Sequence, residues 1–421
     1  MKPHLLLFSV FVAVAVSACS GGGGATNSLA PGGGGSERAP QGTFIATPSP
    51  VPSNAPYPEY IWVDPVNGND TNSGTYASSY KSLQKCANVA SAGETCTVKN
   101  GTLTKYESNA FVAHITTTGK SGGVITFRAQ NTLGVTLDGQ NTACESFDLD
   151  NAVSYIDIEG FVIQNFTCAG INLNAGSSGE ADANTYVTIT YNHITKNPGN
   201  GIRAGYWSHG DLFEGNEIDN SGYGCTVKGT NQIHGIYIDG YSNTIVSNVF
   251  HDNDCGWDIQ VAEESTESQG SGFVIVNNTF GTHNNPNGTS NPGQIVFYSQ
   301  HGTQMSFVGE NNIFYPSPTG PPYDCYPATS VSSATLTTNL TGNSQTVGLT
   351  NCSSLSKSGS GTLFGTNPQF VSSSPQVAAD YRLQSTSPAI GAGTYYAGVT
   401  NDFYGSGYSN PPPIGGIDYP Y

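Results

Sequence analysis

Arg203, Tyr237, Asp239 and His234 are the residues whose types and spacing best support chemistry. β-Elimination from a uronic acid needs a cation to neutralise the carboxylate and a base to remove the C5 proton. Arg203 suits the first task and Tyr237 or His234 the second, with His209 and Lys228 in reserve. Hydrolysis needs two carboxyls roughly 5 to 9.5 Å apart, and Asp239 with Asp258, Glu263 or Glu264 offers such a pair. Binding without turnover needs aromatic faces and polar neighbours, and Tyr206, Trp207, Tyr237, Tyr241, Trp257 and Tyr298 supply the faces, with Gln260 and Glu263 beside them. Asp148, Asp150 and Asn174 form an oxygen set that would suit calcium. Each set also has a plain structural reading: Arg203 paired with a carboxylate, Tyr237 covering a sheet, and Asp and Asn serving turns. His193, His251 and His283 read as turn residues without a metal-spaced partner and receive no role.

Those residues lie in a chain with 13 Lys and Arg against 30 Asp and Glu, a net charge of −17. Such a surface repels polyanions, which excludes nucleic acid as a partner. An acidic protein acting on an acidic polymer then needs a local basic spot or a bridging cation. The N-terminus has one Lys, an apolar run from Leu5 to Val16 and the closing Val16-Ser17-Ala18-Cys19. That run is short for a bilayer span and matches an export signal over 1–19. Its last four residues resemble a bacterial lipobox, which implies a lipid on Cys19 and a place at the cell envelope. Ser20 in place of Asp leans toward the outer membrane. Residues 20–59 are rich in Gly, Ser, Ala and Pro and read as a tether, so the folded part spans 60–421. A monomer is expected.

The positioning elements follow from a repeat. Asn192, Asn216, Asn248, Asn278 and Asn312 each sit in a β-rich phrase, separated by 24, 32, 30 and 34 positions. This period indicates a solenoid; a β-sandwich is the second choice. Each Asn is expected at a corner in left-handed geometry, with the Ile or Phe two residues later turned inward. Stacked Asn side chains would bond to one another from coil to coil. A second strand per coil begins at Ile171, Ile202, Ile236, Ile259 and Ile295. Alternation directs Asp148, Asn172, Arg203, Tyr237, Gln260 and Val296 outward in one column. Asp150, Asn174, Gly205, Asp239 and Tyr298 form a second column two residues along, with Glu263 assigned to it by approximate register. The segment Ser82–Ala90 is the best helix and would cap the open end of the stack. Eight Cys remain after Cys19, and their order suggests the pairs 86/96, 144/168, 225/255 and 325/352. Cys144 and Cys168 also occupy equivalent places in successive coils, about 4.8 Å apart.

The opening Tyr60-Ile-Trp-Val-Asp-Pro-Val-Asn-Gly-Asn-Asp and Tyr80-Lys-Ser-Leu-Gln-Lys-Cys-Ala87, the repeats, and the closing Asn367-Pro-Gln-Phe-Val371, Ser387-Pro-Ala-Ile-Gly391 and Ile414-Gly-Gly-Ile-Asp418 together resemble the pectate-lyase-like right-handed β-helix superfamily over 60–421. The resemblance implies an all-β, right-handed parallel β-helix, with an entry segment over 60–125 and an exit segment over 315–421. It implies contact with polysaccharide, by lyase, hydrolase or pure binding chemistry, and does not choose among them. The paired Asp-Asp, Gly-His-Gly and Arg-x-Lys set of polygalacturonases is absent, as is the dense Asp cluster of calcium-dependent pectate lyases.

Overall fold

The structure is a computed structural model. It describes residues 52, 59–107, 109–174, 179–224, 233–264, 270–283, 294–316, 322–327, 329–342 and 359–420. The proposed signal, lipidation site Cys19 and most of the tether therefore lie outside the described residues. No helix among those described is long and apolar enough to cross a membrane.

The chain is a right-handed parallel β-helix. Each turn lays one short strand on each of three faces, and every ladder that joins successive turns is parallel. Face I runs from Tyr60–Val63 to Val331–Thr337, and face II from Gly101–Leu103 to Leu363–Phe364. Face III holds Phe111–Ile115, Glu145–Leu149, Ala169–Leu173, Asn200–His209, Ile236–Tyr241, Ile259–Glu263, Ile295–Ser299 and Tyr323–Tyr326. Inward positions of all three faces build one apolar column through the molecule. Ile194, Ile218, Phe250, Phe280 and Phe314 stand two residues after their ladder Asn and are buried in it. Phe250, Phe280 and Phe314 stack at 4.9 Å between successive ring centres, the strand spacing itself.

The Asn ladder at the corner between faces I and II forms as the repeat requires. Nδ2 of Asn192, Asn216, Asn248 and Asn278 each donates to Oδ1 of the next member, at 3.0 to 3.2 Å. The backbone N–H of each donates to the same oxygen. One detail differs from expectation. The left-handed residue is the one before the ladder Asn, namely Tyr191, Gly215, Ser247, Asn277 and Asn311. The tight turn is made one residue early, which leaves the Asn free to point inward along the stack. A second ladder at the corner from face III to face I contains Asn184, Asp211 and Asn243. Asp211 Oδ1 accepts from Val187 N at 2.9 Å, its Oδ2 accepts from Ser208 Oγ, and its own N–H donates to Asn243 Oδ1.

The helix Leu83–Val89 closes the N-terminal end. Ser82 Oγ caps it by accepting from Lys85 N at 3.1 Å, and Leu83, Cys86 and Ala87 are buried against the first coils. The disulfide Cys86–Cys96 fixes it there. Cys144–Cys168 joins successive coils with Cα atoms 4.6 Å apart, as the register demands. That bond closes a loop with a sequence separation of 24. Replacing both its cysteines by serine should cost about 3 kcal/mol, measurable as a lower melting temperature. Cys255 and Cys325 are also disulfide-bonded, whereas Cys225 and Cys352 lie outside the described residues.

The C-terminal segment does not continue the coil. It folds back over the outer side of the solenoid. Phe370, Tyr381, Leu383, Ile414 and Ile417 pack on Val249, Ile313 and Leu340 of face II. Val399, Tyr396 and Tyr408 pack on Leu212, Val246 and Val276 of face I. Neither of these clusters contains a residue of face III.

Candidate functional site on face III

The outward column of face III is in register as read. His114, Asp148, Asn172, Arg203, Tyr237, Gln260, Val296 and Asp324 pair successively from coil to coil. Arg203 is exposed, Tyr237 half-buried, and Gln260 and Val296 buried. Among the described residues no carboxylate forms an ion pair with Arg203. Glu145 and Asp148 lie near enough to matter: burial first, then Asp148, pushes the Glu145 carboxyl up to about 7, with Arg203 pulling the other way.

The second column needs a correction. Ala262, not Glu263, pairs with Tyr298, so Glu263 stands one position off and faces inward. It is fully buried, and its Oε2 accepts from Ser299 Oγ at 2.8 Å and from His301 N at 3.0 Å. Glu263 therefore holds a turn and cannot touch a ligand on the face. Asp258 is likewise sealed, with Oδ1 accepting from Asn253 Nδ2 at 2.7 Å. Asp239 is buried, and its Oδ2 accepts from Glu264 N at 3.2 Å. Of the carboxylates proposed for a hydrolytic pair, only Glu264 reaches the surface. His234 is buried with its Nδ1 accepting from Trp257 N at 3.1 Å. Burial first, and then His283, drops its pKa to about 3. With Nδ1 engaged as an acceptor, the neutral ring carries its proton on Nε2, so His234 offers no free base. It instead stacks beside Tyr237 at 5.9 Å. Tyr241 and His209 belong to a different place: they stack on each other at 4.6 Å near the corner to face I, with Tyr186 next to them. Lys228 lies outside the described residues.

On face III, one pair of described strands interrupts the regular stacking. Ala204 pairs with Ile238 and Ser208 with Gly240, so the upper strand uses four steps where its neighbour uses two. The two extra residues form a bulge that contains Tyr206 and Trp207, and Tyr206 lies near Arg203 and Tyr237. Trp207 has φ of 65°, a left-handed backbone rare for a bulky side chain. Bulges of this kind re-aim side chains and concentrate next to functional sites. Beyond Val296, Tyr298 and Tyr326 stack with ring centres 5.7 Å apart and planes 3° from parallel, and Tyr326 is two-thirds exposed. The sequence reading included Tyr298 and missed Tyr326.

Burial, then the Glu264 and Asp239 carboxylates, hold the Tyr237 phenol far above its ordinary range. Tyr206 is raised as well, by burial and then Asp239 and Glu264, with Arg203 opposing. Both phenols are therefore neutral donors at physiological pH.

The oxygen set proposed for calcium is already occupied by amides. Asp148 Oδ1 accepts from Asn174 Nδ2 at 2.7 Å and from Asn172 Nδ2 at 3.1 Å, and Asn174 Oδ1 accepts from Asn172 at 2.9 Å. The remaining oxygens, Oδ2 of Asp148 and of Asp150, each lie 3.9 Å from His114 Nε2. Three residues knitted by N–H donors and facing an imidazole do not fit a hard cation that wants six or more oxygens.

A different cluster, on face II, was not anticipated. His193, Glu217, Asp219 and His251 meet there. All follow a ladder Asn by one or three positions, in Asn192-His-Ile-Thr195, Asn216-Glu-Ile-Asp219 and Asn248-Val-Phe-His251. Aligning the phrases one residue further would have found it.

Comparison with known proteins comes down to fold. No family model matches the chain. A solved pectate lyase, Pel9A, superposes with a TM-score of 0.56 at 15% identity, over 87% of this chain and 98% of that one. The chain has the pectate-lyase-like parallel β-helix fold. An alginate lyase from Paenibacillus sp. str. FPU-7 superposes with a TM-score of 0.45 at 18% identity, over 62% of this chain and 83% of that one. Among curated proteins, the uncharacterized protein YwoF of Bacillus subtilis (strain 168) is 28% identical over 140 residues, which is 32% of this chain and 28% of that protein. The chain thus spans under a third of that relative. The apolar clusters of the folded-back segment leave face III out, and Arg203 stands exposed on its outward column.

Proposed function

We propose that the protein binds a uronate-containing polysaccharide along face III and cleaves it by β-elimination. The observation that carries this reading is Arg203: exposed, without an ion-pair partner among the described residues, and in register with Tyr237 beside the aromatic bulge. A lone guanidinium on a chain of charge −17 is the local basic spot that an anionic sugar would need. Bidentate contact with a uronate carboxylate would draw charge off it and acidify the adjacent C5–H. The half-buried Glu264 carboxylate lies near Tyr237 and would take the C5 proton. As the C4–O bond breaks, the neutral Tyr237 hydroxyl would donate to the leaving oxygen. Tyr206, Trp207, Tyr298 and Tyr326 would hold sugar rings on either side. Calcium takes no part in this scheme, because Asp148, Asp150 and Asn174 do not offer it a cage. The stacked Tyr298–Tyr326 pair also supports binding without turnover as a second reading.

The test is incubation with pectate and alginate. Ultraviolet-absorbing unsaturated ends are expected, and Arg203→Ala should lower their rate at least about tenfold with the melting temperature unchanged. Tyr237→Phe should retain binding and lose cleavage. Retention of the polymer without product moves the assignment to a binding surface; neither retention nor product from any uronate polymer removes it. We propose further that the protein is exported and lipid-anchored at the envelope through Cys19. Incorporation of labelled fatty acid, abolished in Cys19→Ser, checks that.

A further inference from the structure

On face II one ligand atom each of His193, Glu217 and Asp219 lie within 4.8 Å of one another, and His251 faces the same two carboxylates. His193 Nε2 lies 2.6 Å from Asp219 Oδ2 and 4.0 Å from Glu217 Oε2; His251 Nε2 lies 3.1 Å from Glu217 Oε1 and 3.7 Å from Asp219 Oδ2. In a tetrahedral site with ligand bonds of roughly 2.0–2.1 Å, neighbouring ligand atoms stand about 3.3 Å apart. The four distances lie on both sides of that value, with His193 meeting Oε2 of Glu217 and His251 meeting its Oε1. We propose that His193, Glu217, Asp219 and His251 bind one divalent ion of the zinc class, which clasps three coils of face II to the C-terminal segment.

Three further observations support the assignment. The first is the support behind the ligands. His251 Nδ1, the nitrogen pointing away from the centre, is 2.9 Å from Asp252 Oδ2. A ligating imidazole is usually oriented by a carboxylate on its far nitrogen in this way. Asp219 keeps Oδ2 for the centre, while its Oδ1 accepts from Thr195 Oγ1 and from Asn220 Nδ2 at 2.6 Å. The second is burial. Asp219 and His251 are almost completely buried and Glu217 nearly so, and two carboxylates so close together need a cation between them. The third is access. A cavity of about 250 Å³, lined by His193, Glu217, Ala378 and Tyr404 among others, opens onto the exposed edge of the cluster and gives an ion a way in.

The donor set selects the metal class. Two imidazoles and two carboxylates suit zinc or its tetrahedral analogues, whereas calcium and magnesium take oxygen ligands. With four protein ligands the site has no vacancy, which marks it as structural. Its mechanical role follows from Glu217. Its Oε1 also accepts from Ala378 N at 2.6 Å, and the Tyr381 ring sits 5.5 Å from the His251 ring. The ion would thus lock the folded-back segment onto the coil. The competing arrangement is two imidazolium–carboxylate pairs with no metal.

The full chain, stripped with chelator and titrated with zinc, should bind about one ion per chain. Cobalt in its place should give the intense visible absorption of a tetrahedral N/O site. His193→Ala, at the partly exposed edge, should abolish that spectrum with circular dichroism unchanged. Metal removal should expose the segment around 366–385 to protease, and zinc should protect it again. Failure of the unmutated chain to take up either zinc or cobalt stoichiometrically would overturn the assignment in favour of plain ion pairs, whatever the variant does. So would an octahedral cobalt spectrum, or stoichiometric binding that His193→Ala and His251→Ala both leave intact. None of these readouts involves polysaccharide, so they stand or fall apart from face III.

Discussion

Replacing Asp211 with asparagine is expected to raise the melting temperature near pH 8 and to leave it almost unchanged near pH 4. Asp211 is fully buried, and burial pushes its carboxyl from 3.8 up to about 7, against the Ser208 and Val187 hydrogen bonds. The folded state therefore holds a proton that the unfolded state gives up. Stability from this group is complete below the unfolded pKa and is lost as pH rises through the folded one. The shift corresponds to roughly 4 kcal/mol at most. An amide keeps the acceptor for Val187 N–H and reverses the bond to Ser208 Oγ. It also restores the residue type found one coil before, at Asn184, and one coil after, at Asn243. A gain of roughly 2–4 kcal/mol is expected near pH 8, read as a melting curve at each pH. Equal shifts at both pH values would show that packing, not ionisation, sets the effect. Asp157, raised to about 7 by burial and then by Glu159, adds a dependence of the same sign, so the unmutated protein should also melt higher in mild acid than near pH 8.

Asn248→Ala should destabilise by about 3–5 kcal/mol, the larger of the structural effects. Nδ2 of Asn248 donates to Phe213 O at 2.9 Å and to Asn278 Oδ1 at 3.0 Å; its Oδ1 accepts from N and Nδ2 of Asn216 at 2.9 and 3.1 Å. Alanine removes all four bonds and leaves three partners buried, away from water. Denaturant unfolding measures the loss, with the exposed Ser333→Ala as a reference expected within about 0.5 kcal/mol of the parent. A loss no larger than the reference would mean that the ladder merely accompanies the coil and does not hold it.

The coil was legible because its pattern is redundant. The Asn phrase recurs five times, and triplets that open on Ile repeat in step with it, so Arg203, Tyr237 and Gln260 could be placed on one column from the sequence. Register failed in two places. Glu263 was set opposite Tyr298 by an approximate register, although it stands three residues after Gln260, and the regular strand Ile259–Glu263 places Ala262 there. The bulge at Gly205–Trp207 was invisible for another reason: extra residues in one strand show only against the neighbour they fail to match. Burial was the other gap. His234, Asp239 and Asp258 read in the sequence as available polar groups, and only the fold shows that they are buried. The His193–His251 cluster escaped because each histidine was judged alone, while its partners are contributed by the next coils.

The bulge has a further consequence for any long, periodic ligand. A stack of nearly alike rungs presents the same foothold at every level, and a polymer whose own repeat is short would slide along it without a preferred stopping point. Two surplus residues at a single level break that sameness. On the proposed reading, Tyr206 and Trp207 would then act as the zero mark on a ruler, fixing which sugar of the strand halts opposite the guanidinium.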